Sequence, residues 1–124
     1  MIVDERLVTY INSLDRGNTD FLNQLEMEAL RDHVPIIRRE TQSLLKVLLE
    51  LTAPSRILEV GTAVGFSALL MSTYGPGECR ITTIENYEKR ISAARENLKK
   101  AGKEKQITLL EGDAQKVLKT LEEP

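Results

Sequence analysis

Apolar residues recur at helical spacing through the first third of the chain. Leu7, Val8, Ile11 and Leu14 fall on one face of a helix predicted over 4–14, and Asp4 can cap its start. Arg16, Gly17 and Asn18 break it. A second helix is predicted over 19–32, with Thr19 as N-cap and Phe21, Leu22, Leu25, Ala29 and Leu30 as its apolar stripe. Pro35 interrupts, and a third helix over 39–51 turns Leu44, Leu45, Leu48, Leu49 and Leu51 inward. Near Pro54 the pattern changes. Short apolar runs at 56–60 (RILEV), 80–85 (RITTIE) and 106–111 (QITLLE) read as strands. Helical patterns over 66–74, 88–101 and 115–121 follow them in turn. Gly75, Pro76 and Gly77 stop the first of these, and Gly102 sits at the C-terminal cap of the second. The order β-α-β-α-β-α predicts an α/β fold with a parallel sheet and right-handed crossovers.

Composition narrows the classes. The chain has 124 residues, 41% of them hydrophobic and 29% charged, which suits one soluble globular domain. The 17 basic and 19 acidic residues leave a net charge of −2, so bulk charge gives no support for non-specific nucleic-acid binding. Aromatics are 4% and Trp is absent, which argues against a base-stacking platform. One cysteine excludes an internal disulfide and fits a reducing cytosol. No run approaches the roughly 18 apolar residues of a membrane span. A cytoplasmic location without membrane partners is the expectation.

The candidate chemistry lies at the carboxyl ends of the predicted strands, where open α/β sheets bind their ligands. Glu59 closes the first strand, Glu85 the second, and Asp113 follows the third. A plain alternative is that each acid caps the helix after it. Between the first strand and its helix runs Gly61-Thr62-Ala63-Val64-Gly65-Phe66-Ser67. Gly61 permits a tight turn off the strand, and Gly65 a close backbone approach. The spacing is G-x-x-x-G and not the G-x-G-x-x-G of dinucleotide folds, which disfavours an NAD-dependent oxidoreductase. Glu85 is placed to accept from both hydroxyls of a ribose. Asp113, with the Ala114 amide, is placed to meet an adenine amine. Glu59 opposes phosphate at the helix start and favours a cation.

On these residues the chain resembles the class I S-adenosylmethionine-dependent methyltransferases. It is most similar to the cation-dependent caffeoyl-CoA O-methyltransferase-like family, in its bacterial branch, which includes tRNA 5-hydroxyuridine methyltransferases. The stretches that carry the likeness are Pro35-Ile36-Ile37, ILEVGTAVGFSALLMS over 57–72, ITTIENYEKRISAARENLKKAG over 81–102 and ITLLEGDAQKVL over 107–118. The resemblance implies the N-terminal half of a Rossmann-like methyltransferase sheet over 54–124, preceded by a helical lid over 1–53. It implies S-adenosyl-L-methionine as cofactor. Glu59, Gly61 and Thr62 would meet its methionine moiety, and Ser67 its carboxylate. Glu85 would take the ribose hydroxyls, with Asn86 and Tyr87 beside the adenosine, and Asp113 and Ala114 would read the adenine. Ile36 and Ile37 would lie in the lid over the cofactor. The acceptor implied is a hydroxyl on a catechol-like small molecule or on tRNA.

Enzymes of that family continue past a third strand to a fourth, whose Asp binds a divalent metal such as Mg, and to a later Asp-Asn pair. Those ligands have no counterpart here, so a metal is expected only in the full-length family enzyme. The expectation is an inactive fragment whose first strand presents an apolar edge and pairs in a homo-oligomer. The alternative function is a non-catalytic module that binds adenosyl nucleotides or serves assembly. His33, the lone histidine, reads as a lid or surface residue. Cys79 reads as an unreactive thiol, and Met27 and Met71 as core.

Overall fold

A computed structural model describes residues 3–121. The outermost residues of the predicted lid and cofactor segments, 1–2 and 122–124, lie outside the described residues. Three helices come first: α1 (Glu5–Ser13), α2 (Asp20–Arg31) and α3 (Arg39–Thr52). Then β1 (Arg56–Val60), α4 (Phe66–Tyr74), β2 (Arg80–Glu85), α5 (Glu88–Lys100), β3 (Ile107–Glu111) and α6 (Ala114–Leu118) alternate. The boundaries have local causes. Asp4 accepts from the Arg6 and Leu7 amides at the start of α1, and the Thr19 hydroxyl accepts from the Leu22 amide at the start of α2. At the end of α5 the Lys103 amide reaches the Leu98 carbonyl and the Gly102 amide the Lys99 carbonyl, with Gly102 at φ +66. That is a Schellman cap, and only glycine adopts its left-handed residue without cost.

The strands form one parallel sheet in the order β1-β2-β3. Register fixes its two faces. Ile57, Ile81 and Ile107 share one face with Glu59, Thr83 and Leu109. Helices α4 and α5 cover it, and Ile81, Ile107 and Leu109 join Phe66, Leu69, Leu70, Ala94 and Leu98 in a single core cluster. Leu22, Leu25, Ala29 and Leu49 belong to the same cluster, so α2 and α3 pack into the core through α4.

The opposite face carries Leu58, Thr82 and Thr108 in one row, and Val60, Ile84 and Leu110 in the next. Ile84 is buried there, where α6 meets β2. Leu58 is 52% exposed and Val60 59%. Among the described residues β1 is an edge strand, and two of its apolar side chains also stand exposed on this face.

Several expected core positions are exposed instead. Met27, read as core, lies on the solvent side of α2, and Leu30 is exposed beside it, while Met71 is buried. Leu7, Ile11 and Leu14 of the first helix are exposed, as are Leu44, Leu48 and Leu51 of the third. Each helix has only one packed flank, and that flank is narrower than its apolar stripe.

Candidate functional site

The turn after β1 is pinned to β2 by its own backbone. The Gly61 and Thr62 amides donate to the Ile84 carbonyl at 2.8 and 3.2 Å. The Ala63 amide donates to Glu85 Oε2 at 2.8 Å. Ala63 takes a left-handed φ of 48°, so the loop turns sharply before α4. Gly61 has φ +96, and a Cβ there would meet no atom within 4 Å. Its glycine is required by the backbone, and the space beside it is open to a ligand. Gly65, at φ +88, backs onto Ala94 and Leu98 of α5 at ordinary contact distance.

Glu85 is the most completely held of the three acids. Besides Ala63, the Asn86 and Tyr87 amides donate to its Oε1 at 3.0 and 3.1 Å. The Gly112 amide donates to the Glu85 carbonyl at 2.9 Å. That bond brings the turn after β3, with Asp113 and Ala114, beside the end of β2. Asp113 itself caps α6, accepting from the Lys116 amide at 3.2 Å. The capping alternative therefore describes one oxygen of Asp113.

Glu59 does not cap a helix. Its Oε2 accepts from the Ser67 hydroxyl at 2.5 Å and its Oε1 from the Thr83 hydroxyl at 2.7 Å. Burial pushes the Glu59 carboxyl above its ordinary value, and the two hydroxyl donors pull it part of the way back. Thr62 turns its side chain inward, 2.7 Å from the Thr83 hydroxyl, so only its backbone faces the strand ends.

The segment after α2 closes over this loop. Pro35, Ile36 and Ile37 line one cavity together with Gly61, Thr62, Ala63, Phe66 and Ser67. The Ile37 carbonyl is held by the buried Gln42 side chain at 3.0 Å. Gln42 also donates to Glu26 Oε2 at 2.7 Å and accepts from Asn18 at 2.9 Å. Ile37, Gly61, Thr62 and Ser67 thus meet in one cavity. Glu59 and Glu85 border it through Ser67 and Ala63, and Asn86, Asp113 and Ala114 lie on the far side of Glu85.

Sequence reasoning missed Thr83, Gln42 and Asn97, whose side-chain amide donates to the Val64 carbonyl of the loop at 2.9 Å. A polar residue at a core register position was the available signal for Thr83, and one on the packed face of α3 for Gln42.

A separate cleft between the N-terminal helices is lined by Asn12, Asp15, Asn23, Glu26 and Arg39. Its acids already face Lys46 and Arg39. Among the described residues no three His, Cys, Asp or Glu side chains are grouped to hold a metal ion, and no helix is long and apolar enough to cross a membrane.

Comparison with known proteins agrees with this fold. Residues 12–124 match the family model described as O-methyltransferase. A catechol O-methyltransferase of Niastella koreensis is 33% identical over 79 residues, covering 64% of this chain and 36% of that protein. The SAH-bound Podospora anserina methyltransferase PaMTH1 superposes with a TM-score of 0.85 at 32% identity, over 96% of this chain and 53% of its own. A Staphylococcus aureus protein described as a caffeoyl-CoA O-methyltransferase gives 0.85 at 30% identity, over 95% and 56%. The chain spans about half the length of these structures and about a third of the catechol enzyme. With the strand order, the glycine turn and the family match in agreement over most of its length, this chain belongs to the O-methyltransferase family.

Proposed function

We propose that the strand-end site binds S-adenosylmethionine and serves methyl transfer to a hydroxyl oxygen. One observation carries this reading. Two acids at the ends of adjacent strands flank a single glycine turn, and the turn's own Ala63 amide holds one of them. Glu85, fixed by three amides, keeps lone pairs directed outward for a vicinal diol such as ribose. Asn86 and Tyr87 flank the nucleoside, and Asp113 with the Ala114 amide meets the adenine edge. Glu59 offers a partly buried carboxylate to an ammonium group, and Gly61 and the Thr62 backbone permit close approach. Ser67 has one proton, now given to Glu59, and turns it to a ligand carboxylate when one arrives. Ile37 closes over the ligand, with 1–53 as lid and 54–124 as the cofactor half.

When bound, the cofactor would supply an electrophilic sulfonium methyl; its transfer to a hydroxyl oxygen would break the methyl C–S bond and release S-adenosylhomocysteine and the hydroxyl proton. The divalent metal implied by the resemblance has no ligand set among the described residues. Activation of the acceptor hydroxyl is therefore not assigned to them. The acceptor class proposed is a catechol-type hydroxyl, supported by the name of the Niastella koreensis relative.

Calorimetric titration with S-adenosylhomocysteine tests the site. Binding is expected in the wild-type protein and is lost in Glu85→Ala. Removing a hydrogen bond to a charged group weakens binding by about 1.5–3 kcal/mol per bond. Equal affinity in both proteins would exclude the ribose role. A methyl-transfer assay offering a catechol and a tRNA that carries 5-hydroxyuridine side by side tests the acceptor; transfer to the tRNA alone would overturn the catechol reading.

A further inference from the structure

The buried hydroxyls behind Glu59 have a direction. The Thr83 hydroxyl donates to Glu59 Oε1 at 2.7 Å, and a hydroxyl has only one proton to give. The 2.7 Å contact between Thr83 Oγ1 and Thr62 Oγ1 must then run from Thr62 to Thr83. The result is a one-way chain, Thr62 to Thr83 to Glu59, across the packed face of β1 and β2.

The two donors to Glu59 differ in access. Ser67 lines the cavity under Pro35, Ile36 and Ile37, where a ligand can compete for its proton. Thr83 is 0% exposed and Thr62 1%, so no ligand reaches either hydroxyl. We propose that Thr83, aligned by Thr62, is a positioning residue that keeps the Glu59 carboxylate charged and aimed at the cavity after a ligand has drawn Ser67 away. The ligand class served is an adenosyl amino acid whose ammonium meets Glu59. This rests on the cofactor reading above and extends it to two residues that make no ligand contact through their side chains.

The chain predicts which ligands feel its loss. Without the Thr83 hydroxyl, a partly buried carboxylate keeps only the donor that the ligand removes. Burial then favours its neutral form, which attracts an ammonium poorly. A ligand that lacks the amino-acid moiety does not depend on Glu59.

The test is a paired titration of the purified protein with S-adenosylhomocysteine and with 5′-methylthioadenosine, which keeps the adenosine and lacks the amino acid. In Thr83→Val, affinity for S-adenosylhomocysteine is expected to fall about 10- to 100-fold, the worth of one hydrogen bond to a charged group. Affinity for 5′-methylthioadenosine stays at the wild-type value. Thr83→Ser, which restores the hydroxyl, recovers S-adenosylhomocysteine binding. Thr62→Val/Thr83→Val leaves no orphaned hydroxyl and carries the same S-adenosylhomocysteine test if the single variant does not fold. Unchanged S-adenosylhomocysteine binding in these valine variants overturns the proposal. So does an equal loss for both ligands in Thr83→Val, which would mark a role in loop shape alone. A wild-type protein that binds neither ligand overturns the cofactor reading beneath it.

Discussion

Glu59 and Glu85 end neighbouring strands, yet their surroundings give them opposite characters. Glu85 is held by backbone amides at an open strand end, whereas Glu59 is tucked against side-chain hydroxyls behind the loop. Burial raises the folded-state pKa of Glu59 above its ordinary value of 4.5. A raised carboxyl favours folding while it is protonated, below the unfolded-state value. That contribution is lost as pH rises through the folded-state value. Glu59→Gln is therefore expected to be more stable than wild type near pH 7, with the difference shrinking towards pH 4; thermal melts at both pH values check it. The same variant loses its charge for an ammonium group, a trade of function for stability. The three acids were legible in the sequence because they recur at equivalent points of the topology. Their partners were not. Whether Ser67 serves a ligand or Glu59, and whether Thr62 faces in or out, depends on side-chain rotation that spacing does not encode.

At the scale of elements, the loop and its two flanking helices carry the strain and the packing. Gly65 sits at φ +88 with only ordinary contacts around its missing Cβ. Gly65→Ala is thus expected to cost roughly 1–2 kcal/mol through backbone strain, not through a clash. Chemical denaturation measures it, and a cost near zero would mean that the loop relaxes. In α4, Leu69 is 2% exposed, and Leu69→Ala is expected to cost about 2–5 kcal/mol. In α3, Leu51 is 77% exposed, and Leu51→Ala is expected to stay within about 0.5 kcal/mol. Periodicity located both helices but turned Leu51 inward with the rest of the α3 stripe, whereas it is exposed. A helix shows its apolar stripe in sequence, while the width of the surface that covers it is set by neighbours distant along the chain. Strand order had a clearer signature, since three short apolar runs separated by helices leave few other arrangements.

For the molecule as a whole, the accessible surface is 8775 Å², against about 6,700 Å² for a compact globular chain of 14.0 kDa. Part of the surplus lies on the sheet face that carries Leu58 and Val60. Parallel sheets occur almost only with both faces covered. Residues 1–124 expressed as one chain are therefore expected to self-associate through this face and the β1 edge. Sedimentation should show the apparent mass rising with concentration, and Leu58→Lys with Val60→Lys should suppress the rise. A strictly monomeric wild-type chain at high concentration would contradict this. The uncovered face also shapes how the chain responds to temperature. Heat capacity on unfolding follows the apolar surface newly given to water, and for 124 compactly folded residues it is about 1.5–1.9 kcal/mol/K. A chain that already shows one face of its sheet to water has less left to expose. Dilute enough to be monomeric, it is expected to unfold with a smaller heat-capacity step, and its free energy of folding then follows a flatter arc between cold and heat.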